Sequence, residues 1–95
     1  MRSTKVLTGA GTLIETFQPK TKYNEDGIVQ IQIGGTATVS ISGRLSPTAP
    51  WVDIDLDGSG TTSVTASGYY NIPLFPQMRI TSVSTSGINN IWIID

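Results

Sequence analysis

Asp53, Asp55 and Asp57 stand at alternate positions in the run Asp53-Ile54-Asp55-Leu56-Asp57-Gly58. Such a run opens a calcium-binding loop, where carboxylates at the first, third and fifth positions and a glycine turn close on one ion. The twelfth position of that loop needs a bidentate glutamate, and here it is Val64. Read as a strand instead, alternate residues are about 7 Å apart along one face. The outer carboxylates are then too far apart to share an ion unless the chain curls at the turn. The expectation is a solvated acidic face, with no metal and no cofactor.

Other chemistry is restricted by what the chain lacks. It contains no histidine and no cysteine. That removes the usual general base, the thiol nucleophile and the commonest transition-metal ligands together. The other carboxylates are scattered through turns and the C-terminus, and the glycine-rich stretches lack the lysine and the strand–loop–helix setting of a phosphate cradle. The expectation is no catalytic residue and no enzymatic activity.

Recognition is the chemistry left. Trp51 follows Pro50 and falls by parity on the aspartate face, opposite the apolar row Val52, Ile54, Leu56. A large aromatic there is either a lid over the end of the fold or an interface anchor. Tyr69 is out of phase with Tyr70 and poses the same question. The closing segment is apolar on both sides, with Ile91 and Ile93 on one face and Trp92 and Ile94 on the other. A half-exposed strand should alternate with polar residues, so one face needs a second cover, either the N-terminal segment or a neighbouring subunit. Trp51, Tyr69, Ile91, Trp92, Ile93 and Ile94 are therefore the candidate interface residues. Trp51 and Tyr69 could alternatively stack on sugar rings.

The elements that must carry these residues are strands. Eighteen residues are Ile or Val against five Leu, and 23 are Ser or Thr. β-Branched side chains fit a pleated surface better than a helix. Val29, Ile31 and Ile33 share one face, with Gln30 and Gln32 on the other. Gly34-Gly35 supplies a reversal, and Ala37, Val39 and Ile41 follow, so a hairpin is expected. Val64 to Leu74 keeps one parity, a long strand bent at Gly68. The parity slips between Ile80 and Val83, which suggests a bulge. The predicted fold is all-β: an antiparallel β-sandwich, jelly-roll-like, of about seven to eight short strands. Residues 1–27 read as a basic N-terminal arm or edge hairpin, and residues 28–95 as the β-sandwich domain.

Charge narrows the partners. Only 14% of the residues are charged, so the surface is largely Ser, Thr, Gly, Asn and Gln. Charges are a main device that keeps sheet edges from pairing, and their scarcity points to edges covered in an assembly. Residues 1–22 carry +3 and the remainder −4. A basic leading segment can reach for an acidic neighbour, but so few spread charges make a poor nucleic-acid site. No run approaches a membrane span, and no signal segment is visible at the N-terminus. The expected partners are protein, with no nucleic acid and no membrane.

At residues 35–54 (GTATVSISGRLSPTAPWVDI) and 70–95 (YNIPLFPQMRITSVSTSGINNIWIID) the chain resembles small virion proteins of tailed bacteriophages. The shared outline is a Gly/Thr/Val hairpin, a Pro-Trp lead into a strand, a Pro-containing edge, a Gln-Met-Arg strand start and a final Ser-Gly hairpin. It covers about half of the chain and omits the first 27 residues. The resemblance implies a capsid decoration, cement or head-fibre protein, homotrimeric, bound to the major capsid protein and located in the virion after synthesis in a host cytoplasm. The alternatives are a tail, neck or fibre component, or a glycan-binding module.

Overall fold

A computed structural model describes residues 3–19 and 26–94. Arg2, Lys20, Lys22, Asn24 and Glu25, which carry part of the basic segment and its turn, lie outside them. Nine strands are formed: β1 (Ser3–Gly9), β2 (Thr12–Phe17), β3 (Asp26–Ile33), β4 (Thr36–Arg44), β5 (Val52–Asp53), β6 (Ser63–Val64), β7 (Gly68–Pro73), β8 (Gln77–Ser86) and β9 (Asn89–Ile94). One sheet has the order β1-β9-β3-β7. The other has β2-β8-β4-β5, with β6 also on β4.

The pairing has a simple logic. The chain doubles back as one long ribbon that matches β1 with β9, β2 with β8, β3 with β7, and β4 with β6. Rolling that ribbon brings β9 onto β3 and β8 onto β4, which closes two antiparallel sheets over one core. This is jelly-roll order. Alternation does the burying: Val29 and Ile31, Val39 and Ile41, Met78 and Ile80, and Ile91 and Ile93 all point inward and are almost wholly buried. Leu7, Ile54, Leu56, Ile72 and Leu74 complete the cluster.

Several local expectations change. Gly34-Gly35 does not close a hairpin, because β3 and β4 belong to different sheets. A Cβ on either glycine would run into the backbone of Ile88 or Ser86, so these glycines let the β8–β9 turn pack against the crossing. The expected strand from Val64 to Leu74 is split into β6 and β7, which also lie in different sheets. Pairing along β8 is unbroken from Gln77 to Ser84, and the irregularities fall at Lys5/Leu7 and Thr36/Ala37 instead. Val83 simply faces outward, while Ser82 turns in. Val52 is 64% exposed rather than buried with Ile54 and Leu56, because β5 is two residues long and sits at the open end of the sandwich.

The N-terminal strands do not pair with each other as a hairpin. β1 takes an edge of the first sheet and β2 an edge of the second. Leu7 is buried in the common core, and Val6, Leu13 and Phe17 pack against it.

Candidate functional site

The outer face of the first sheet carries three cross-strand rows, because its strands run in register. In the central row Lys5 stands opposite Trp92, Trp92 opposite Gln30, and Gln30 opposite Tyr69. Four strands thus bring together residues from both ends and the middle of the chain. The Lys5 ammonium lies 5.1 Å from the centre of the Trp92 ring, in cation–π range. Beside this row Thr8 donates to Asn90 Oδ1 at 2.7 Å, and Asn90 Nδ2 donates to Gln32 Oε1 at 3.3 Å. On the other side Ile94 is paired with Ile28, which is partly exposed.

Between Trp92 and Tyr69 the face sinks into an open slot of about 490 Å³. Gln30 and Gln32 form its floor, and Ser67 and Gly68 close one side. Lys5 does not line it. The amine therefore meets the tryptophan from the side of β1, opposite the slot.

The candidate interface residues separate cleanly on this frame. Ile91 and Ile93 belong to the core, 0% and 2% exposed, and offer no surface to a partner. Trp92 and Ile94 are half-buried on the outer face. Tyr69 is 72% exposed.

Trp51 belongs elsewhere. It lies with two guanidinium groups, Arg44 at 4.1 Å and Arg79 at 4.8 Å from the ring centre. Arg44 Nε also donates to Gln77 Oε1 at 2.7 Å, across the β4–β8 pair. Arg79 Nε is buried without a hydrogen-bond partner, which suits a guanidinium stacked on a ring rather than one held by acceptors. Trp51 is half-buried, spent on bracing the Arg44 and Arg79 side chains, and distant in the topology from Tyr69. The two do not form one sugar-stacking pair.

The three aspartates are also divided. Asp53 Oδ1 accepts from Ser42 Oγ at 2.8 Å. Asp55 accepts the amides of Asp57, Gly58 and Gly60, at 3.2, 2.9 and 3.0 Å, and Asp57 accepts that of Ser59 at 2.9 Å. The carboxylates thus act as backbone acceptors that shape a loop with left-handed glycines at Gly58 and Gly60. Hydrogen bonds from the Thr61 hydroxyl and the Ser59 amide hold the Asp57 carboxyl below its ordinary value. Among the described residues, no group of three or more His, Cys, Asp or Glu is placed to hold a metal ion.

A second concavity, about 580 Å³, opens at the end of the sandwich. Its lining is mainly apolar: Leu45, Pro50, Val52, Ile54, Pro73 and Phe75. Leu45 is 71% and Val52 64% exposed. Phe75 reaches this hollow over Gly43, where a Cβ would collide with its ring. Sequence parity marked Gln30 and Gln32 only as a wet face and missed Lys5, Leu45 and Phe75, since strand order alone tells which of them meet. Comparison of the chain with protein-family models, with curated proteins and with solved structures returned no match.

Proposed function

We propose that this chain is a non-enzymatic structural protein of a bacteriophage virion, a capsid decoration or cement protein that acts by protein–protein contacts. The observation that carries the contact part of the reading is the apolar hollow with exposed Leu45 and Val52. Burying a side chain of that size contributes about 1.5–3 kcal/mol, and a contiguous apolar patch on a sparsely charged chain favours a protein partner. The phage setting rests on the resemblance of residues 35–54 and 70–95, as do the homotrimer and the major capsid protein as partner. The sheet edges supply a second means of self-association, because β1, β2, β5 and β7 end the sheets.

The test is co-sedimentation of labelled protein with particles purified from the genome that encodes it. Saturable binding that Leu45→Asp and Val52→Asp reduce at least about tenfold supports the reading, a loss of about 1.4 kcal/mol. Absence of the chain from those particles overturns it. Labelling on the tail rather than the capsid would favour the tail, neck or fibre alternative.

A further inference from the structure

We infer that the slot between Trp92 and Tyr69 is a binding site for a neutral glycan, independently of any attachment through the hollow at the end of the sandwich. Trp92 and Tyr69 stand on β9 and β7, separated by β3, so their strands are two spacings apart, about 9.5 Å. A ring held between two other rings needs about 7–8 Å, two van der Waals contact distances. A sugar ring would therefore sit above the Gln30 side chain, which stands between the two aromatics in the row, with the exposed Tyr69 leaning in to meet it.

The floor fits the same ligand. Sugars present C–H faces to aromatic rings and hydroxyl edges to amides, which can both donate and accept. The Gln30 amide forms no side-chain hydrogen bond among the described residues, and Gln32 uses its carbonyl oxygen on Asn90 and keeps its NH₂ group free. Among the described residues no carboxylate or amine lines the slot, and Lys5 is drawn to Trp92 from outside it. An acidic or basic ligand would thus meet no countercharge, whereas an uncharged, hydroxyl-rich one would meet its partners. The Trp92 wall is already fixed by Lys5, so less order is lost on binding.

The experiment uses the full chain labelled with ¹⁵N, which shows two indole N–H signals, one from Trp51 and one from Trp92. It is titrated with neutral hexasaccharides of glucose, N-acetylglucosamine, mannose, galactose and xylose, and with a sulfated heparin hexasaccharide. At least one neutral glycan is expected to move the Trp92 signal saturably, with Kd of about 1 mM or tighter, and to leave Trp51 in place. Tyr69→Ala is expected to weaken that binding at least about tenfold, and Gln30→Ala about fivefold, with unchanged melting because both groups lie on the surface. No saturable shift with any neutral glycan up to about 10 mM overturns the inference. Binding of heparin alone overturns the neutral class, and shifts centred on Trp51 overturn the location. A wild-type chain that binds no sugar, together with a Tyr69→Ala variant that no longer binds particles, would make the slot a protein contact instead.

Discussion

Ser82 on β8 and Asn89 on β9 meet in the interior of the sandwich, Asn89 Nδ2 donating to Ser82 Oγ at 2.8 Å with both residues fully buried. They lie in different sheets, so this bond ties the two layers next to the turn that joins them. Asn89 Oδ1 is buried without a partner, so the pair is already incompletely satisfied. Ser82→Ala would strand the amide donor as well, and is expected to cost about 1–3 kcal/mol. The double change Ser82→Ala with Asn89→Leu removes both polar groups and should recover much of that loss. Urea unfolding of the four proteins checks the cycle, and additive effects of the two single changes would show that the bond carries no coupling.

Trp51 is expected to be a stability residue. Trp51→Ala removes the ring that Arg44 and Arg79 both approach and should cost about 2 kcal/mol, the upper range for partly desolvated cation–π contact. Trp51→Phe should retain part of it. Chemical denaturation followed by circular dichroism measures both, and an unchanged midpoint for the alanine variant would show that the ring contributes no stability.

Leu7 links the first strand to the common core. It is 4% exposed and clusters with Ile91 and Ile93. Leu7→Ala should therefore cost about 2–4 kcal/mol, a large part of the stability of a small domain. Removing residues 1–18 deletes an edge strand from each sheet, and the shortened chain is expected to lose its cooperative melt. A truncated chain that melts cooperatively near the full-length midpoint would mean that β1 and β2 are dispensable.

The aspartate loop should respond to acid and not to chelator. The folded Asp57 carboxyl titrates below its ordinary value because Thr61 and Ser59 donate to its charged form. A depressed folded value contributes stability above the unfolded value, and that contribution is lost as pH falls through the folded one. The melting midpoint should thus decline as pH drops below about 4, and Asp57→Asn should flatten part of the decline. Superimposable pH profiles for the two proteins would refute this. Asp55→Ala frees three loop amides and should cost about 1 kcal/mol at neutral pH, with the wild-type midpoint the same in chelator and in calcium.

How much of this was legible follows from the range of each cause. Side-chain parity is set by the pleat over a few residues, so the sequence alone determined that Val29 and Ile31 point inward, that Gln30 and Gln32 point out, and that the chain is an all-β sandwich. It also exposed the two-sided apolar segment 91–94, whose outer residue Trp92 is met by Lys5 of β1. It did not determine that Gly34-Gly35 crosses between sheets, since a reversal looks the same locally whether its strands pair or part. Nor could it place Lys5, Trp92, Gln30 and Tyr69 in one row, or Trp51 on Arg79. Those neighbours are far apart in the chain and meet only because the ribbon doubles back and rolls, a choice made by packing of the whole core. Parity is a property of the backbone, but a site is a property of strand order.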